Sequence, residues 1–298
     1  MVSTVLTWNV RWATPRSPRR HEILHRIFRH NPDIVCLTEV DSQLLADRSG
    51  HVIRARPDGI VAKEANDKRK VVLWSKEPWE QIDDLGHVHM PPGRFVSGVT
   101  KVPLLGVVTV IGVCIPWHAS RTRWTNDGIK RKRWEDHRKY LEILRGVLQR
   151  APLRRLILLG DFNQKISGGK APKDVREALQ AAFSGDMEIA TADLDVIDHI
   201  ALTRELRVRN RAVIDRFHDD RELSDHCGVV ADVAVDHVYD RFTEVPFDGL
   251  QVDGDGNVVD PPPGPARDRA VGLIEGWMRY WKDGDSSLLI ELGVLRSE

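Results

Sequence analysis

The sequence predicts an α/β sandwich with antiparallel strand pairing. Three observations carry this. Short runs rich in Val, Ile and Leu recur at strand length up to residue 235, and apolar stripes at helical spacing fall between some of them. Several strands also follow one another with only Pro, Gly or polar residues between.

The elements follow in order. Val2–Trp8 reads as a strand. Arg20–His30 sets Ile23, Ile27 and Phe28 at helical spacing, and Pro32 stops it. Asp33–Thr38 is a short apolar strand. Arg69–Trp74, Arg94–Val102 and Gly106–Ile115 are valine-rich strands, and the polar Lys63–Lys70 stretch is expected as a loop or hairpin. Residues 134–149 place Trp134, Leu141, Leu144 and Leu148 on one helical stripe. Arg155–Leu159 is a continuous apolar strand, and Lys173–Phe183 a short helix with Val175, Leu179 and Phe183 four apart. Val196–Leu202, Arg207–Ile214 and Val229–Val235 are late strands.

Near residue 240 the composition changes, which divides the chain into a domain over 1–238 and an extension over 239–298. Asp253-Gly-Asp-Gly-Asn reads as a hairpin turn. As a calcium loop it fails, because Val258 stands where the sixth-position glycine belongs and Gly264 where the last acidic ligand belongs. Pro261–Pro265 is a stiff linker. Ala270, Leu273, Ile274, Trp277, Met278 and Trp281 then form one apolar helical face, expected to pack on the first domain.

Composition narrows the class. In 298 residues, 44 Lys+Arg balance 44 Asp+Glu, and 41% are hydrophobic, so the chain is neither disordered nor a charged tail. Three cysteines, Cys36, Cys114 and Cys227, exclude a disulfide scaffold and read as small buried hydrophobes. No apolar run reaches a membrane span, and the start lacks a signal-like segment, so a cytoplasmic protein is expected. Zero net charge means that any basic surface is local.

The chemistry-bearing residues fall at strand ends: Asn9 in Thr7-Trp-Asn-Val10, Glu39 after Ile34–Thr38, His118 in Ile115-Pro-Trp-His, Asp161 and Asn163 in Gly160-Asp-Phe-Asn, and Asp225-His226 before the last strand. Singly each has an ordinary explanation. Asn9 is then a turn residue, Glu39 a cap, His118 a loop histidine, Asp161/Asn163 an Asx turn and Asp225 an N-cap. Asp198, inside the apolar run Val196–Ile200, resists one, because a buried acid needs a partner and a histidine would serve. Jointly, acids, amides and histidines at strand ends converge on one cleft edge. Carboxylates suit magnesium, an acid-paired histidine suits water activation, and amides donate to phosphate oxygens. The set fits metal-assisted phosphoester hydrolysis.

The ordered series Trp8-Asn9, Glu39 after an apolar strand, Gly160-Asp-Phe-Asn163, Ile197-Asp-His199 and Ser224-Asp-His226 resembles the endonuclease/exonuclease/phosphatase superfamily over residues 3–235. That superfamily includes pancreatic-type deoxyribonucleases, exonuclease III-like endonucleases, inositol polyphosphate 5-phosphatases and neutral sphingomyelinases. The resemblance implies a four-layer α/β sandwich of the deoxyribonuclease I type, two sheets flanked by helices. It implies Glu39 as the principal Mg2+ ligand (Mn2+ as the alternative ion), with Asn9 and Asp225 in the metal shell. It implies His226 as general base or phosphate holder, Asp198 as the acid orienting it, and Asp161 with Asn163 positioning nucleophile and phosphate. His118 matches a histidine of the deoxyribonuclease and sphingomyelinase branches, whereas exonuclease III-like enzymes carry tyrosine there. Whether Asp161 or His226 takes the proton stays open.

For substrate, the Gly-Asp-Phe-Asn form resembles the nuclease side, and Gln164-Lys165 after it departs from the 5-phosphatases. Arg121–Trp134 packs six cations and two tryptophans into fourteen residues. Arg121 and Arg123 are expected to contact phosphates and Trp124 to stack on a base, while Trp134 reads as core. The reading is a nuclease on DNA, or RNA, with little sequence specificity. The alternative is a phosphatase or phosphodiesterase on a small or lipid phosphoester. Ser167-Gly-Gly-Lys170 lacks the pattern of a phosphate-binding loop, and Ser224 has no nucleophile-elbow context.

Overall fold

The computed structural model describes residues 2–57, 67–120, 132–150, 155–183, 185, 187–236 and 287. The chain divides into two compact units, Met1–Asp240 and Arg241–Glu298, and every described residue but Ser287 belongs to the first. The expected boundary at 238/239, and the hairpin, linker and amphipathic helix beyond it, lie outside the described residues, as do residues 63–66 of the expected loop. Among the described residues no helix is long and apolar enough to cross a membrane.

The chain runs through β1 (Ser3–Ala13), α1 (Arg20–Phe28), β2 (Ile34–Asp41), a short 3-10 turn at Ser42–Leu45, β3 (His51–Arg54) and β4 (Lys68–Ser75). There follow β5 (Trp79–Asp83), β6 (Phe95–Val102), β7 (Gly106–Cys114), α2 (Glu135–Leu148), β8 (Leu156–Asp161) and α3 (Lys173–Ala182). The last part holds β9 (Met187–Ile189), β10 (Asp198–Thr203), β11 (Leu206–Ile214), the small hairpin β12 (Phe217–His218) and β13 (Arg221–Glu222), and β14 (Gly228–Val235). Two six-stranded sheets form, in the orders β11-β14-β1-β2-β4-β3 and β5-β6-β7-β8-β10-β9. Both are mixed: β1 runs parallel to β2 and β7 parallel to β8, and the other pairs are antiparallel.

Period-two alternation builds the layers. Val5, Ile34, Cys36 and Leu73 from the first sheet meet Val110, Leu159 and Ile200 from the second in one buried cluster between the sheets. Their strand neighbours Leu6, Trp8, Val35 and Leu37 face the other way, onto Ile23, Leu24 and Ile27 of α1. On the far side, Tyr140, Leu141, Leu144 and Leu148 of α2 and Leu179 of α3 cover Leu156, Leu158 and Phe162. The result is the expected four-layer order of helix, sheet, sheet and helix.

The differences from expectation have local causes. β1 and β2 run on to Ala13 and Asp41, beyond the apolar runs that mark their starts, and these polar ends carry the site. Lys68–Lys70, expected in a loop, belongs to β4. β3, β5, β9, β12 and β13 escape sequence pattern because they are short or exposed; β5, for example, buries none of its five residues fully. Trp134 is not a core residue. It is the half-buried N-cap of α2 with a left-handed backbone (φ 68°), and Tyr140 and His137 occupy the buried stripe instead. Cys36 and Cys114 are buried, and burial pushes both thiols up, Cys114 to about 12; Cys227 is half-buried against the inter-sheet core.

Candidate active site

The polar residues gather where β1, β2, β8 and β10 end. Antiparallel pairing of β8 with β10 sets Asp161 directly opposite Asp198. Both are buried, and both reach across the inter-sheet space to Asn9 of β1. The Asn9 amide N–H donates to Asp198 Oδ2 (2.5 Å), and its side-chain Nδ2 donates to Asp161 Oδ2 (3.0 Å). The two sheets are therefore tied together at the site by polar bonds that continue the apolar core.

Two backbone features aim these acids. Gly160 has φ 147°, and a Cβ there would lie 1.9 Å from the Val113 carbonyl oxygen, so only glycine lets β8 approach β7 and present Asp161. On β2, Ile34 and Cys36 belong to the inter-sheet core, yet Val40 belongs to the outer cluster with Val35 and Leu37. The alternation breaks at Glu39, which has a left-handed backbone (φ 47°). β1 breaks register with β2 beside it, between Asn9 and Ala13, where Arg11 and Trp12 have φ 46° and 56°. Bulged, strained ends of this kind recur next to functional sites because they re-aim side chains.

The Asp161 carboxylate accepts from the Asn163 backbone N–H at Oδ1 (2.8 Å), and at Oδ2 from Asn163 Nδ2 (2.8 Å), Asn9 Nδ2 (3.0 Å) and, at longer range, Cys114 Sγ (4.0 Å). Asn163 Nδ2 also donates to the Ile115 carbonyl (2.8 Å), which anchors the loop after β7. Burial raises the Asp161 carboxyl to about 7; the positive His226 pulls it down, while the charges of Asp198 and Glu39 push it further up.

His226 Nδ1 lies 2.7 Å from Asp198 Oδ1 and 4.0 Å from Asp161 Oδ1. Nδ1 therefore carries the proton given to Asp198, and Nε2 is left for the cleft. Burial alone would lower this imidazole, but the charge of Asp198, then that of Asp161, the hydrogen bond to Asp198 and the charge of Asp225 outweigh it and raise it to about 10. The two carboxylates favour the imidazolium form of His226.

Glu39 is paired with Lys70 (Nζ to Oε1, 2.6 Å), the residue set across from it because Thr38 faces Val71 and Val40 faces Arg69. The Lys70 ammonium also lies 4.8 Å from the Trp12 ring centre. Among the described residues, Asn9 Oδ1 accepts from the Arg11 backbone N–H alone (2.9 Å). Asp225 is exposed, and its Oδ1 lies 3.5 Å from Ser224 Oγ, whose one proton goes to the Asn9 carbonyl. Glu39, Asn9 and Asp225 make no hydrogen bond to one another. Among the described acids, cysteines and histidines, one group of three brings donor atoms within 4.8 Å of one another, namely Asp161, Asp198 and His226. The donor set fits a hard divalent cation: Glu39 already draws one positive group, Asn9 offers a neutral oxygen, and the charges of Asp198 and Glu39 add to burial in raising Asp161.

His118 stands apart from this network. Its ring lies between those of Trp117 and Trp134, and no hydrogen bond joins its side chain to Asp161, Asn163 or His226. Burial, then the charge of Arg133, lowers its pKa. Arg121, Arg123 and Trp124 lie outside the described residues. Three supporting residues carry no sign of their role in composition. Trp8 Nε1 donates to the His226 carbonyl (2.8 Å). Ser224 Oγ donates to the Asn9 carbonyl (2.6 Å) and accepts from the His226 backbone N–H (3.2 Å). Lys70 neutralises Glu39. Trp8 and Ser224 adjoin motif residues, which was the one available signal; Lys70 had none, because its partner is set by sheet register.

A model of the Endonuclease/Exonuclease/phosphatase family matches residues 6–226, from β1 to His226. Solved structures share the fold. An endonuclease/exonuclease/phosphatase from Beutenbergia cavernae is 20% identical, with TM-score 0.55 over 78% of this chain and 72% of that one. TDP2 of D. rerio in complex with a single-strand DNA product is 13% identical, with TM-score 0.57 over 78% and 99%. The 3'-5' exonuclease NExo of Neisseria meningitidis is 16% identical, with TM-score 0.54 over 78% and 99%. A search by sequence among curated proteins finds no match.

Proposed function

Because the chain belongs to the endonuclease/exonuclease/phosphatase family, we propose that this phosphoester hydrolase is a divalent-metal-dependent phosphodiesterase that cleaves nucleic acid, DNA in the first place. The observation that carries the reading is the hydrogen-bonded set Asn9–Asp161–Asn163–Asp198–His226, drawn from four separate stretches of sequence to neighbouring strand ends of the two sheets. The nuclease-like neighbours and the Gly-Asp-Phe-Asn segment support nucleic acid over a small phosphoester.

In this reading Glu39 and Asn9 hold Mg2+, with Asp225 at the rim. The ion, when bound, polarises a phosphoryl oxygen and steadies the charge that develops on it. His226, held positive by Asp198 and Asp161, offers its Nε2–H to a phosphate oxygen and strengthens that bond as charge builds. Asp161, raised to about 7, takes the proton of the attacking water, and Asn163 holds its carboxylate in place. The geometry thus favours Asp161 over His226 as the base, since an imidazolium has no lone pair to accept a proton.

The test is a cleavage screen with Mg2+, with Mn2+ and with chelator on single- and double-stranded DNA, RNA, an abasic duplex and phosphorylated small molecules. Metal-dependent cleavage of nucleic acid, lost in Glu39→Ala, is the expected outcome. Turnover confined to the small phosphoesters would replace the nuclease reading with the alternative.

A further inference from the structure

The loop leaving β7 carries an aromatic side chain that the hydrolytic residues do not use. Trp117 is 50% exposed, and within Pro116–Ser120 it is the one exposed side chain. It is also braced from behind. Its ring meets His118 edge-on (centroids 5.0 Å, 72°), His118 tilts against Trp134 (5.3 Å, 37°), and Trp134 meets His137 edge-on (5.0 Å, 82°).

Both ends of this row of rings are tied to the reacting groups. His137 is buried, with Nδ1 2.7 Å from the Pro116 carbonyl and Nε2 3.0 Å from Gln164 Oε1, and Gln164 follows Asn163 directly. Asn163 Nδ2 itself holds the Ile115 carbonyl, two residues before Trp117. The Trp134 backbone N–H donates to the His118 carbonyl (2.7 Å) and keeps Trp134 in a left-handed conformation that a bulky residue rarely adopts. The protein holds this strained residue where it supports the row.

A lone, rigid, outward-facing ring beside a phosphodiester site has a narrow range of ligands. A lipid surface needs a contiguous apolar patch, and among the described loop residues Pro116–Ser120, Trp117 has no exposed apolar neighbour. A flat π-face with a cation nearby, here the exposed Arg133 whose charge reaches His118, suits a planar base followed by a phosphate.

We propose that Trp117, braced by His118 and Trp134, is a stacking platform for a nucleobase of the bound strand next to the phosphate met by His226. This rests on the nucleic-acid reading above and narrows it: the enzyme grips its strand through a base beside the reacting phosphate without reading the base's identity, because every base presents a π-face.

The experiment uses the full chain and a short single-stranded DNA carrying 2-aminopurine, whose fluorescence is quenched on stacking, scanned through successive positions. Chelator keeps the strand intact during binding. Wild type is expected to quench the probe at one position, Trp117→Phe to keep the effect and Trp117→Ala to lose it. In Mg2+, Trp117→Ala is expected to raise the KM for the matching DNA about tenfold. Replacing that nucleotide with an abasic spacer should shrink the penalty to about twofold or less, as a lost pairwise contact requires. Absence of quenching in wild type, or equal quenching in wild type and Trp117→Ala, overturns the proposal. Trp117-dependent quenching without any cleavage would remove the nuclease reading and leave the platform. Cleavage with a KM indifferent to Trp117 would do the reverse.

Discussion

Of the four Asp-His pairs in the sequence, two share one acid, and the fold treats their histidines oppositely. In Asp198-His199 the histidine is fully buried, with Nδ1 3.0 Å from Thr191 Oγ1 and Nε2 3.2 Å from the Gln164 carbonyl. The Gln164 carbonyl can only accept, so Nε2 carries the proton; in the neutral ring Nδ1 then accepts from Thr191 Oγ1, which itself accepts from the Ile200 N–H. Burial lowers His199 to about 4. In Asp225-His226 the histidine sits between Asp198 and Asp161 and is raised to about 10 despite its burial. The acid of the first pair serves the histidine of the second. Burial favours the neutral form of one histidine; burial between two carboxylates favours the charged form of the other.

The sharpest way to break the comparison is to delete each ring. His226→Ala is expected to lower kcat/KM on the substrate found in the screen by about 10³- to 10⁴-fold with the fold retained. His199→Ala should cost about 2 kcal/mol of stability through the polar groups it strands, or ~4–8 °C in Tm, while the rate per folded molecule changes little. Kinetics corrected by circular dichroism measure both, and a His226→Ala enzyme within about tenfold of wild type would end the assignment.

Next comes the shared acid. Asp198→Asn is expected to lose about 10²- to 10³-fold in rate, because it removes the charge that holds His226 positive and the acceptor that fixes its tautomer. Activity near wild type would mean that the 2.7 Å contact does not matter to chemistry.

The two histidines should also leave opposite marks on stability against pH in the metal-free protein. His199, lowered from 6.5 to about 4, contributes fully above pH 6.5, and that contribution, about 3 kcal/mol, is lost as pH falls towards 4. His226, raised from 6.5 to about 10, contributes fully below pH 6.5 and loses its share as pH rises towards 10. Denaturant titrations should show His199→Gln flattening the acid limb and Asp198→Asn the alkaline one. A single limb moved by both substitutions would merge the two sites.

The one effect expected as a gain comes from the ion. Mg2+ at about a hundredfold its dissociation constant should stabilise the wild type by ~2.7 kcal/mol, read as a rise in Tm, and Glu39→Ala should lose that rise. An equal rise in both proteins would move the ion away from Glu39.

Much of this was legible early. Strands and helices with apolar cores announced themselves through periodicity, because burying one face imposes a period of two or of about 3.6 on the residues themselves. The acids and amides at strand ends were visible for the same reason, as polar breaks in apolar runs. Asp198 was the clearest, being the one acid placed where only a paired group survives. Trp134 shows the limit: its spacing suited the buried stripe, but a left-handed backbone held by His118 turned it into the helix cap.

The chain's own order of residues determined the fold class, the layers and the inventory of reactive groups, since these depend on local pattern and on which side chains exist. Tertiary structure alone decided which histidine Asp198 charges, that Lys70 faces Glu39, that a left-handed turn swings Glu39 out of the strand's alternation, and that Gly160 must lack a side chain. Each of these depends on strand register and close approach between segments far apart in the chain, and contacts of that kind leave no periodic trace in either partner.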